Sequence, residues 1–235
     1  MFILGGLALA LVAGVVFVGV IPNGDRAGST ATDPSPTATE TQSVDPATDP
    51  SSIAATASSS PSPSASVATM TCADGGACAL GDTGPGGGLV FLISGGKTYE
   101  MAPKTWSGGG EDPTFKWCDT NTSVTGTSKA IGTGAQNTVL MKAGCNSVAG
   151  QSAADYAGGG KSDWFLPSKD ELNEMFTRSR TSGFDTATYG FVTSLVYWSS
   201  SQDTAATAWY QSFANGLRSN FFKNDAQRVR PVRAF

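Results

Sequence analysis

Residues 23 to 68 carry almost nothing that a fold could bury. The stretch "TATDPSPTATETQSVDPATDPSSIAATASSSPSPSASV" is mostly Ser, Thr, Ala, Pro and Asp. A segment of that composition cannot offset its chain entropy by apolar burial and stays disordered. It therefore divides the 235-residue chain and confines any globular core to residues 69 to 235. As a coil its ends would lie roughly 40 Å apart, and further where prolines stiffen it. It reads as a stalk, and its Ser and Thr hydroxyls suit glycosylation.

Ahead of the stalk, residues 1 to 22, "MFILGGLALALVAGVVFVGVIP", hold no charged side chain. A helix of about 20 apolar residues spans a bilayer. A cleaved signal peptide carries a basic n-region and a shorter apolar run. The basic n-region is missing here, which favours an uncleaved transmembrane anchor, with a signal peptide as the alternative. Either way the body beyond the stalk is expected outside the cytoplasm, held to the cell membrane by a single pass in the first case.

Charge follows the same division. The first 68 residues hold five carboxylates against Arg26 alone, which accounts for the whole net charge of −4. The rest of the chain is balanced, with 14 acidic and 14 basic residues. Nothing in it would steer the protein toward nucleic acid.

All four cysteines, Cys72, Cys78, Cys118 and Cys145, lie beyond the stalk. In an exported segment disulfides persist, and four cysteines allow three pairings. We expect Cys72–Cys78 around "ADGGA" and Cys118–Cys145 across a longer loop, the second worth about 3 kcal/mol in the chain-entropy view. Zinc is the weaker reading, because the chain has no histidine and no paired C-x-x-C.

Within the body, "GGLVFLIS" (87 to 94) reads as a buried strand and "KTYEMAP" as a second. Helices are expected over 134 to 145, 147 to 157 and, most clearly, 167 to 180. In the last, Ser168 and Glu171 have capping-box spacing, with Asp170 at the positive end of the helix. Leu172, Met175 and Phe176 share its apolar face. These acidic residues read as caps rather than catalysts. Strands follow over "LVYWSSSQ", "AWYQSFANG" and "RVRPVRAF", the last marked as an edge or bulge by Pro231. Trp198 and Trp209 are expected in the core.

Several motifs fail on inspection. "GGGKS" lacks the first glycine of a phosphate loop, since position 155 is Asp155. Two G-x-y triplets in "GDTGPGGG" are too few for collagen. The absence of histidine excludes Ser-His and Cys-His nucleophile systems, and no carboxylate spacing points to acid–base catalysis.

The segments "GDTGPGGGLVF", "IGTGAQNT", "AADYAGGGKSDWFLPSKDEL", "YWSSSQ", "AWYQSF" and "RVRPVRAF" resemble the Lcl C-terminal domain family. The resemblance covers nearly all of 72 to 235, with the motifs in family order. It implies an α+β, C-type-lectin-like domain with small twisted antiparallel sheets and two or three short helices. It implies no catalytic residue; no metal ligand is picked out and no cofactor is expected. Formylglycine-generating enzymes share that fold class but rely on a reactive cysteine pair, and the sequence here does not resemble theirs. The Glu-Pro-Asn, Gln-Pro-Asp and Trp-Asn-Asp motifs of calcium-dependent lectins are absent.

The end of the chain, "AWYQSFANG…RVRPVRAF", also resembles the variable proteins of diversity-generating retroelements. Adenine-directed mutagenesis of asparagine codons there reaches only some residue types. Ser212, Ala214, Asn215, Leu217, Arg218, Ser219, Asn220, Phe221, Phe222, Asn224, Asp225 and Ala226 are all reachable. Gln211, Lys223 and Gln227 are not. The resemblance implies a loop over 212 to 226 that forms a ligand-binding face, with Phe221 and Phe222 exposed because a partner covers them. The competing reading is that one of the two phenylalanines plugs the core. The ligand class expected is a protein or a cell-surface molecule such as a glycan. Arg228, Arg230 and Arg233 are expected to pair with carboxylates across the sheet.

Overall fold

The computed structural model describes residues 69–235. The anchor and stalk assigned to residues 1 to 68 lie outside the described residues. Among the described residues no helix is long and apolar enough to cross a membrane.

The body is α+β, with two sheets and four α-helices. In chain order come β1 (Leu89–Ser94), β2 (Lys97–Met101), β3 (Thr114–Lys116), α1 (Gly134–Cys145), α2 (Val148–Ala154), α3 (Lys169–Ser179) and α4 (Thr186–Tyr189). Then follow β4 (Val196–Gln202), β5 (Thr207–Ser212), β6 (Arg218–Phe222), β7 (Ala226–Arg228) and β8 (Val232–Ala234). One sheet has the order β1-β2-β8 and the other β3-β7-β4-β5-β6. Pairing is antiparallel except between β4 and β7, which meet in parallel at Tyr197 and Arg228. The expected sheets were wholly antiparallel; this junction departs from that because β7 arrives from the far side of the β5–β6 hairpin.

Two other departures have local causes. The run 228 to 235 is not one strand. Pro231 has no N–H to give a ladder, and there the chain leaves the larger sheet as β7 and joins the smaller as β8. The helix α4 was not expected. It is one short turn, capped by the Asp185 carboxylate, which accepts from the backbone of Ala187 and Thr188. "GGGKS" forms a 3-10 turn over Gly158–Gly160, as its glycines suggested.

The expected capping box of α3 is present: Ser168 Oγ accepts from the Glu171 N–H, and the Glu171 carboxylate accepts from the Ser168 N–H at 2.7 Å. Glu171 does more than cap its own helix. Fully buried, it also accepts from Gly132 N at 2.8 Å and Gly134 N at 3.4 Å, at the start of α1. One carboxylate thus ties two helix N-termini together. A Cβ on Gly134 would come within 2.3 Å of Glu171 Oε2, so only glycine fits there. Burial pushes the Glu171 pKa up, against the opposing pull of these N–H donors.

Leu172 and Met175 on α3 face a core with Phe91, Tyr99, Met101, Tyr197 and Phe213. A second core gathers Trp117, Met141, Leu166, Trp198 and Val229. Both disulfides form as expected, Cys72–Cys78 and Cys118–Cys145, the latter with Cα atoms 5.6 Å apart. The second fastens the end of α1 to the loop after β3.

The arginines of the last segment are anchored by carboxylates. The fully buried Arg230 forks onto Asp112 at 2.6 and 2.5 Å and also donates to the carbonyls of Ala102, Tyr189 and Gly190. Asp112 accepts further bonds from Tyr197 Oη at 2.6 Å and Trp106 Nε1 at 3.0 Å. Burial, then the Asp112 charge, pushes the Tyr197 pKa up. Arg233 bridges Asp163 and the buried Glu100, each at 2.7 Å. Glu100 in turn accepts from the N–H groups of Gly86 and Gly88, which fixes the "GDTGPGGG" loop. Arg228 pairs with Glu111 at 3.0 Å.

Candidate functional site

Residues 212 to 226, expected as a loop, are instead a strand between two turns. Leu217–Ser212 and Lys223–Ala206 backbone bonds of 2.8 and 2.9 Å close the two ends of the β5–β6 ladder. Gly216 makes the hairpin turn possible. Its φ is +79, and a Cβ there would meet the Phe176 ring at 2.8 Å. Period-two patterning could not reveal β6, because both of its faces are exposed.

In the β5–β6 ladder Ala208 lies opposite Phe221 and Thr207 opposite Phe222. Directly paired residues share a face, and neighbours along a strand point to opposite faces. Phe221 and Phe222 therefore stand on opposite sides of the sheet. Phe221 lies edge-on to Tyr210, with ring centroids 6.2 Å apart. Phe222 shares its side with Trp209, Asn220 and Arg218. Neither ring is in the core: Phe221 is 42% and Phe222 59% exposed.

The remaining candidates divide cleanly. Ala214, Asn215, Leu217, Arg218, Asn220, Asn224 and Ala226 are exposed, and Ser219 and Asp225 half-buried. Ser212 is the exception. It ends β5 facing inward and is buried, so it does not reach the surface. The three residues that codon logic leaves fixed, Gln211, Lys223 and Gln227, are all buried. Gln211 holds the hairpin turn through a 2.9 Å bond to the Gly216 carbonyl. Lys223 donates to the Thr122 carbonyl at 2.9 Å and to Gln202 Oε1 at 2.6 Å, with its ammonium 4.6 Å from the centre of the Trp117 ring. Burial pushes its pKa down to about 8.

Sequence reasoning missed the neighbours of this hairpin. Trp209, expected in the core, is half-buried on the sheet surface. The Lys169 ammonium lies 3.4 Å from its ring centre and that of Lys129 4.7 Å. Its indole N–H has no partner. Burial, then the charges of Lys129 and Arg218, lowers the Lys169 pKa. Arg218 pairs with Asp170 at 3.5 Å, and Asn220 donates to Asp203 at 2.9 Å. Burial along β5 does not alternate cleanly, so no period in the sequence marked Trp209 as outward.

Elsewhere, a groove of about 460 Å³ is lined by Lys104, Glu111, Phe191 and Thr193, and by no residue of the hairpin. Among the described residues no cluster of His, Cys, Asp or Glu is arranged to hold a metal.

These features define a rigid α+β scaffold that presents one exposed hairpin. The family model described as the Lcl C-terminal domain matches residues 111–233, and the chain belongs to that family. No curated protein matches it.

Proposed function

We propose that this is a surface-displayed, non-enzymatic binding protein with a C-type-lectin-like head, and that the exposed β5–β6 hairpin and the following turn are its binding face. The supporting observation is the match between exposure and codon logic. Unreachable Gln211, Lys223 and Gln227 are buried, while the reachable positions between them, the inward-facing Ser212 and Phe213 apart, are exposed or half-buried. That pattern suits a face diversified by a retroelement on a scaffold that stays fixed. The anchor and stalk would hold the head off the membrane, toward a protein or glycan partner.

Sequencing the 3′ end of the gene in sister isolates tests this. Amino-acid changes should fall on the exposed positions from 214 to 226 and spare Gln211, Lys223 and Gln227. Changes spread evenly along residues 69 to 235 would overturn diversification.

A second reading, a fixed carbohydrate site, is favoured by Trp209. Its partly exposed ring lies beside two lysines. Glycan-array binding that survives hairpin substitutions but is lost in Trp209→Ala would select it.

A further inference from the structure

Among the described residues, three of the four sheet edges are covered or blunted at least in part. The outer side of β1 is occupied by Asp82 and Gly81, through Val90–Asp82 and Gly81–Val90 backbone bonds of 2.9 Å. The outer side of β8 is closed by Phe165, which exchanges two bonds with Val232 at 2.8 and 2.9 Å. At one end of the larger sheet, β3 is three residues long, follows Pro113 and ends in Lys116. Short length, proline and lysine are the usual guards of an edge.

The strand β6, at the other end, has no such guard. Its register with β5 is unbroken over five pairs, and it contains neither proline nor lysine. It pairs with β5 alone. The antiparallel ladder alternates, and its bonds at Leu217 and Lys223 fix the phase. Ser219 and Phe221 turn their backbone groups toward β5. Arg218, Asn220 and Phe222 turn theirs outward. The Phe222 carbonyl is taken by the Asp225 N–H at 3.0 Å. Left facing solvent are both groups of Arg218, both of Asn220 and the N–H of Phe222.

We infer that the free edge of β6 binds an extended polypeptide segment of a partner protein, which adds to the larger sheet as a sixth strand. This rests on the binding-face reading and names its ligand class. An added strand alone satisfies a row of alternating donors and acceptors; a sugar presents no such row. Its side chains would meet Phe221 and Ser219 on one face of the sheet, and Phe222, Asn220 and Arg218 on the other. Backbone pairing is indifferent to side-chain identity, so affinity survives substitution while alternate side chains set specificity. A second copy of the chain fits less well. Five residues of edge fall far short of the roughly 1,600 Å² a stable interface buries.

The test pans a displayed library of random linear dodecapeptides against the full-length chain. Enriched peptides should slow amide exchange at Arg218, Asn220 and Phe222. They should bind Asn220→Pro at least tenfold more weakly and Asn220→Ala nearly as well. Proline removes an outward N–H and leaves the β5 ladder intact, whereas alanine keeps it. Should Asn220→Pro fail to fold, amide exchange in the unaltered chain decides. No enrichment, or no slowing at those three amides, overturns strand addition. Hairpin-bound peptides indifferent to Asn220→Pro overturn it too, but leave the binding face standing. Peptides bound away from the hairpin sink both readings. Concentration-dependent dimerisation abolished by Asn220→Pro would assign the edge to a second copy instead.

Discussion

Strand β6 and the segment from Arg228 to Arg233 are a few residues apart in the chain and share a taste for arginine, yet they have opposite fates. Arg230 and Arg233 are buried against Asp112, Glu100 and Asp163 at 2.5 to 2.7 Å. Arg218 meets Asp170 at 3.5 Å with 41% of its side chain exposed. Two phenylalanines of β6 face solvent, while Val229 and Val232 on either side of Pro231 are fully buried. The difference teaches where rigidity is placed. Residues 228 to 233 form a multiply hydrogen-bonded anchor, and the hairpin just before it is free to carry residues that add little to stability.

The contrast can be broken most directly at Asp112. Removing one partner of a buried ion pair costs about 3–5 kcal/mol. Asp112→Ala should therefore lower the Tm drastically or abolish the folded head. Arg218→Ala should change stability by no more than about 1 kcal/mol, as for other exposed pairs. Equal effects in thermal melts would erase the distinction between anchor and hairpin.

Lys223 joins the two regions, and its pH dependence sharpens the comparison. Its pKa in the folded head is about 8, below the roughly 10.4 of an unfolded lysine. Between those values the unfolded chain holds more protons, so stability rises with pH. Below pH 8 both states are protonated and the effect vanishes. Denaturant melts should show the wild type gaining about 1 kcal/mol relative to Lys223→Met between pH 7 and pH 9. A difference that stays constant with pH would mean the ammonium is not desolvated.

The smallest stability effects belong to the phenylalanines. Phe222→Ser should cost within about 0.5 kcal/mol, as exposed positions do. Phe221→Ser should cost slightly more, since an aromatic pair such as Phe221–Tyr210 is worth about 0.5–1.5 kcal/mol. On peptides selected as above, the double variant should lose at least about tenfold in affinity, one decade per 1.4 kcal/mol. A large fall in Tm for Phe222→Ser would return that ring to the core.

Much of the scaffold was legible because its signals are local. The helix over 134 to 145, the Ser168–Glu171 box and both disulfides needed only spacing and composition. The arginine pairs were legible as a class, though not by partner, since Asp112 lies 118 residues from Arg230. The β6 strand was illegible because exposure on both faces leaves no period to read. The exposed phenylalanines stood out, but not their placement on opposite faces, which needs the register with β5. The switch of sheets at Pro231 was read only as an edge or a bulge, because a missing N–H does not say where the chain goes next.

The pairing of β8 with β2 joins Met101 to Val232, nearly the first strand to the last. Residues 228 to 235 deliver the cations that Asp112 and Glu100 await. A chain ended by a stop codon or frameshift within β6 would leave both carboxylates buried without counter-charge, and its N-terminal hairpin without a neighbour. Such a product cannot reach the folded state in part. The segment that follows the hairpin thus serves as a check on the reading frame that precedes it.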